Sequence, residues 1–146
     1  MAFTAAQITA KFDAFTKAYP LGGHVISHCT GNTHANCVDL ADIWAEQYLL
    51  KGCFRRIGNA DDTFYYADPA KWTKIKNSPL VVPRKGDIVV AHTEHPAGHI
   101  CIDRGGSTVH VLNTRDQNYS SQYHISNEHH PYSASYFRVI GWLRAR

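Results

Sequence analysis

Apolar residues recur at helical spacing near the start of the chain and alternate at strand spacing toward its end. Ile8, Phe12, Phe15 and Tyr19 fall on one helix face. Thr4 with Gln7 has the capping-box spacing that opens a helix, and Pro20 with Gly22 and Gly23 closes it. A polar stretch, HVISHCTGNTHAN (24–36), reads as a loop. A second helical face follows, made of Cys37, Leu40, Ala41, Trp44 and Tyr48. Asn36 suits its N-cap, Asp39 places a negative charge in the first turn, where it is favoured, and Gly52 is a natural stop.

The middle of the chain, from Arg55 to Asn77, carries a weaker pattern. FYYADPAKWTKI (64–75) predicts a short helix opened by Asp68 and Pro69, and SPLVVPRKG (78–86) an extended connector with a turn. Four strands are then predicted: DIVVAH (87–92), HICID (99–103), TVHVLN (108–113) and YFRVIGWLR (136–144). RGGS (104–107) is a tight turn between the second and third. Helices first and an antiparallel meander afterwards predict an α+β fold, with the helices packed on one face of the sheet. The 146 residues suit a single domain, 1–146, and no internal repeat or boundary breaks them.

Composition narrows the function classes. The net charge is +3 and the pI about 8.7. The basic residues are scattered, so no nucleic-acid-binding run is present. A mild positive field suits an anionic polymer, such as a bacterial wall bearing phosphate or carboxylate groups, and equally suits ordinary solubility. No apolar run approaches the ~20 residues that span a bilayer. The N-terminal MAFTAAQITAKFDAF has acid and amide groups within its apolar pattern, unlike a secretory signal. Synthesis in a cytosol without standard export is the expectation, and with it four reduced cysteines, Cys29, Cys37, Cys53 and Cys101. No C-x-x-C pair points to a zinc ribbon or a thioredoxin-type site.

Cys37, at the start of the second helix, is readable as packing, a zinc ligand, a disulfide partner or a nucleophile. A helix start favours a thiolate, through its unpaired N–H groups and dipole. Such a nucleophile needs a histidine base. Of the ten histidines, His99 stands at the head of a predicted strand, just after Gly98. The neighbouring strand runs into Asp116 and Asn118, either of which is placed to accept the imidazole Nδ1 proton and fix the tautomer. Against this, free cysteines are commonly buried, RDQN has turn composition, and Asn36 reads better as a cap than as an oxyanion donor. Cys29, Cys53 and Cys101 read as buried structural residues. His92, His95 and His99 invite a zinc reading, but Pro96 and Gly98 exclude the helix that would align them. His129 and His130 read as solvated loop, and Asp87 as structural.

The segments NCVDLADIW (36–44), PRKGDIVV (83–90), GHICI (98–102), DQN (116–118) and VIGWLR (139–144) together resemble the CHAP domain, the cysteine- and histidine-dependent amidohydrolase/peptidase of bacterial and phage wall-lytic enzymes. They occur in the family's order and cover most of the chain. Each is weak alone; the ordered set favours a nucleophilic Cys37.

The resemblance implies a papain-like fold and peptidoglycan as substrate. Carried over position by position, Cys37 is the nucleophile, His99 the general base, Asp116 the residue that orients the histidine, and Asn118 its companion. It further implies an N-acetylmuramoyl-L-alanine amidase or a stem or cross-bridge endopeptidase, in the setting of a phage endolysin. Such a protein is made in the host cytoplasm and reaches the wall after holin release, acting as a monomer without nucleic-acid or membrane partners. Some relatives carry an acidic calcium loop before the nucleophile. Here SHCTGNTHAN (27–36) has no Asp or Glu, so no metal or other cofactor is expected. His28 and His34 stand there instead, with no assigned role. Trp72 and Tyr119 are candidate groove residues. The rival readings are a non-catalytic wall-binding module of the same fold and a zinc amidase.

Overall fold

The computed structural model describes residues 2–54 and 58–146; positions 1 and 55–57, the latter opening the middle region of the sequence reading, lie outside that description. Among the described residues three α-helices, α1 (Ala5–Ala18), α2 (Cys37–Ile43) and the short α3 (Thr63–Tyr66), accompany seven strands: β1 (Trp72–Lys76), β2 (Ile88–Thr93), β3 (His99–Asp103), β4 (Leu112–Gln117), β5 (Ile125–His130), β6 (Ser133–Ala134) and β7 (Phe137–Ala145). All pairings are antiparallel, in the order β1-β7-β2-β3-β4-β5, with β6 beside β7. The class is α+β, as the order of hydrophobic patterns predicts. No helix among the described residues is long and apolar enough to cross a membrane.

The capping box at Thr4 and Gln7 is formed, each side chain taking the other's backbone N–H. α1 buries Phe12 and Phe15 against Trp44, with ring centroids 5.5 and 5.1 Å apart. Its C-terminal carbonyls, which have no partners within a helix, are taken by Arg115 of β4, whose guanidinium donates to Tyr19 O at 2.9 Å. α2 passes directly into a π-helical turn at Trp44–Tyr48. Trp44 is fully buried and its indole N–H donates to Gly86 O at 2.8 Å, which ties the helix to the chain entering β2. Ile88, Val90, Ile100 and Ile102 belong to the cluster that includes the helix residues. Val89, Ala91, Cys101, Phe137 and Trp142 make a second one, so alternate residues of β2 and β3 divide between the two.

Four expectations change. The short helix predicted to open at Asp68 and Pro69 does not form: α3 precedes that point and strand β1 follows it, and Trp72 is buried on Phe54, ring centroids 5.2 Å apart, not in a groove. The predicted strand 108–113 begins only at Leu112, because Asp103 organises a turn by accepting from Gly105 N–H at 2.8 Å and Ser107 Oγ at 2.5 Å. That shift carries Asp116 into a strand rather than a terminal turn. His129 and His130 lie in β5, and His130 is buried. Cys29 and Cys53 are disulfide-bonded, Cα atoms 5.7 Å apart, where free thiols were expected. The partners are 24 residues apart, and only the folded path of the loops brings them together. Cys101 is buried, and Asp87 pairs with Arg144 at 2.6 Å, a structural role as expected.

Candidate active site

The polar loop 24–36 is organised by one carboxylate. Asp39, fully buried, accepts from Ser27 N–H (2.9 Å) and Thr30 Oγ1 (2.5 Å) on one oxygen. Its other oxygen accepts from Asn32 Nδ2 (3.1 Å) and Asn36 N–H (2.9 Å). This explains a loop rich in Ser, Thr and Asn: four donors satisfy a charge that would be expensive to bury alone. Gln117 of β4 clamps the same loop from the sheet. Its amide accepts from Val25 N–H at 2.8 Å and donates to Val25 O and Asn36 O at 2.9 and 2.7 Å. The start of α2 is thereby fixed against β4.

Cys37 is partly exposed, and its thiol is hydrogen-bonded to His99. Burial pushes this thiol up, but the His99 hydrogen bond and charge, with the N–H groups of Ile100 and Val38, outweigh it and hold it below the ordinary thiol range. His99 opens β3 behind Gly98, whose φ is +70°. A Cβ on Gly98 would come within 2.5 Å of Asp61 Cβ and 2.7 Å of Ala91 O, so this tight turn requires glycine.

His99 is buried, and its Nε2 donates to Asp116 Oδ2 at 2.7 Å. The sequence reading had the carboxylate at Nδ1; here it takes the other ring nitrogen. Burial disfavours the imidazolium, yet Asp116 and Cys37 outweigh that and raise His99 to about 10. Burial likewise opposes the Asp116 charge, but hydrogen bonds from His130 and His99 hold the carboxyl well below its usual range. The result is a series of thiol, imidazole and carboxylate.

His130 is the member the sequence reading missed. Its Nε2 lies 2.8 Å from the same Asp116 Oδ2, its ring stacks on Phe137 at 3.9 Å, and Tyr119 meets it edge-on at 4.6 Å. Thr114 Oγ1 donates to the other Asp116 oxygen at 2.5 Å. Only an assignment of His130 to a strand facing Asp116 could have revealed it, and EHHPY has loop composition.

Asn118 stands elsewhere. With φ +59°, it donates to Asn36 Oδ1 at 3.2 Å and accepts from Tyr123 N–H at 2.9 Å, so its side chain binds Asn36 and the 119–123 turn rather than His99. Cys37, His99, Asn36, Asn118 and Tyr119 all line one groove of about 630 Å³, together with Ala60, Thr63 and His95. Tyr119 packs on His99 at 4.9 Å. His34 stacks on Tyr123, and His28 meets Glu46.

A metal has two candidate clusters among the described residues. The buried one joins His99, Cys101, Asp116 and His130. Both of its imidazole Nε2 atoms already share Asp116 Oδ2, so the set is satisfied as hydrogen bonds. His92 and His95 are engaged separately. His92 pairs with Asp61 at 3.0 Å, and His95 Nδ1 accepts from Ala97 N–H at 3.1 Å.

The fold is one already known from solved structures. The chain superposes on the endolysin LysIME-EF1 with TM-score 0.72 at 18% identity, covering 99% of this chain and 64% of that one. It superposes on Ly7917 with TM-score 0.65 at 16% identity, covering 98% and 63%. For Ly7917 with the hydrolysing product of MDP, the TM-score is 0.64 at 18% identity. The chain thus spans less than two thirds of each of these proteins. No protein-family model and no curated protein sequence matches it.

Proposed function

We propose that the protein is a cysteine-dependent peptidoglycan hydrolase, a single catalytic unit of the CHAP type acting as a phage endolysin. The observation that carries this reading is a partly exposed cysteine lining an open groove, its thiol lowered by the adjoining buried His99, which Asp116 holds in turn. A likeness of fold to an endolysin agrees with it.

In this mechanism Cys37 and His99 form a thiolate–imidazolium pair and Asp116 holds the imidazole. The thiolate attacks an amide carbonyl of the wall peptide. Backbone N–H groups at the start of α2 stabilise the oxyanion, assisted by the Asn36 side-chain amide, which Asn118 orients through Asn36 Oδ1. His99 then gives its proton to the leaving amine, and water releases the acyl group from sulfur. Such an oxyanion donor is typically worth ~3 kcal/mol of barrier. His130 acts as a positioning residue, fixing Asp116. Tyr119 forms part of the groove wall.

The bond cut is the lactyl–L-alanine amide or a peptide bond of the stem or cross-bridge. Digestion of purified peptidoglycan, followed by mass analysis, tests the proposal. Sugar stripped of peptide, with new L-alanine amines, marks an amidase; intact sugar–peptide links with cut bridges mark an endopeptidase. Cys37→Ser should abolish both products while leaving the fold unchanged. Undiminished digestion by that variant would remove the cysteine mechanism, and no digestion by the wild type would leave a wall-binding module.

A further inference from the structure

A second cluster lies outside the groove and has no part in the chemistry above. His28 Nε2 is 2.7 Å from both carboxylate oxygens of Glu46. Cys29 Sγ is 3.3 Å from Glu46 Oε2 and is bonded to Cys53. One ligand atom from each of the four residues lies within 4.8 Å of all the others. Two sulfurs, an imidazole and a carboxylate form a donor set suited to zinc. A tetrahedral zinc with Zn–S of ~2.3 Å and Zn–N of ~2.0 Å spaces its donors by roughly 3.3–3.8 Å, so only small side-chain shifts separate this cluster from a coordination sphere.

We propose that Cys29 and Cys53, when reduced, join His28 and Glu46 in a Zn2+ site, so that the same four side chains clip the loop before Cys37 as a disulfide or as a zinc centre. The exchange balances. A dithiol reductant supplies two electrons and two protons, becoming a disulfide itself, and leaves two thiols. Zn2+ displaces both thiol protons and takes the Glu46 carboxylate and the Nε2 lone pair of neutral His28, whose proton resides on Nδ1. His28 and Cys53 are exposed, so the ion has a path of entry. In either state residues 28 and 29 are fastened to the π-helical turn at Trp44–Tyr48 and the chain after it. That holds the loop wrapped around Asp39, and with it the start of α2.

The test uses the full chain carrying Cys37→Ser, which removes the other partly exposed thiol. The protein is titrated anaerobically with Zn2+ against a chromophoric chelator, oxidised and after reduction with removal of the reductant. One Zn2+ per chain is expected in the reduced form and none in the oxidised form. Co2+ in its place should give a thiolate charge-transfer band with tetrahedral d–d bands. Adding Cys29→Ser and Cys53→Ser should abolish binding. Glu46→Gln, which keeps the disulfide, should weaken Zn2+ binding at least ~10-fold, the scale of losing even an outer-shell partner. A reduced protein that binds no Zn2+, or binding unchanged by Glu46→Gln or by loss of Cys29 and Cys53, overturns the proposal. Glu46→Gln decides the matter should the double-serine chain fail to fold. Metal stoichiometry does not read hydrolysis, so this site stands or falls separately from the wall-hydrolase reading.

Discussion

At Cys37 and His99, proton affinity is the quantity that matters. With the thiol lowered and the imidazole raised to about 10, the ion pair exists between those two limits, and the pair titrates as a unit. Wall hydrolysis is therefore expected to rise with pH through a limb below the ordinary thiol range and to fall near pH 10, as initial turbidity-clearing rates would record. The sign for stability follows from the same shift. A folded-state His99 value above the unfolded one contributes stability that is full below about 6.5 and lost as pH rises through about 10. Asp116→Asn should keep the fold and lower kcat by ~10⁴-fold, the cost of a lost imidazole orienter elsewhere. His130→Gln should lower kcat by a smaller factor and, by leaving the Asp116 charge less shared and more basic toward His99, move the alkaline limb to higher pH. A purely structural His130 would leave that limb in place. Local sequence marked Cys37 as a helix start and His99 as a strand start, whereas Asp116 lay past the predicted end of its strand and was singled out by its place in the ordered CHAP-like segments. His130 was not legible, because its role depends on a strand whose composition resembles a loop.

Among the elements, the loop before α2 and the strands show where pattern suffices and where it does not. α1 follows from spacing and its capping box, α2 starts at Cys37 as predicted but gives way after Ile43 to the π-helical turn that carries Trp44 and Tyr48, and β3 begins and ends as HICID predicts. β1 is hidden because only Trp72 of its five residues is buried, so no alternation announces it. β4 starts late because Asp103 and Ser107 extend the turn through bonds no local pattern shows. The loop around Asp39 was read as merely polar, yet it is a satisfied shell. Asp39→Ala is expected to orphan the N–H groups of Ser27 and Asn36, at about 1–3 kcal/mol each, and urea unfolding should show a correspondingly lower midpoint. Trp44→Ala is expected to cost ~3–5 kcal/mol by opening a cavity among Phe12, Phe15 and Tyr48. Thermal unfolding with an unchanged midpoint for either variant would contradict these roles.

Across the molecule, the order of elements was enough to give the class, helices against an antiparallel sheet. The strand order was not, because the last strand, β7, inserts between β1 and β2, a long-range pairing that hydrophobic period does not encode. The Cys29–Cys53 link escaped for the same reason. What the fold accomplishes is to bring a thiol on a helix to an imidazole 62 residues later (99 − 37) and to support both from β4, Cys37 through Gln117 and His99 through Asp116. Whether the sulfur is ionised is read by the rate of Cys37 alkylation with iodoacetamide across pH, located by peptide mass mapping, in wild type and His99→Ala. The wild type should react as a thiolate at neutral pH, with its titration moved up to or beyond the ordinary thiol range in His99→Ala. Identical profiles in both proteins, each rising only at the ordinary thiol value, would contradict an imidazole-activated nucleophile.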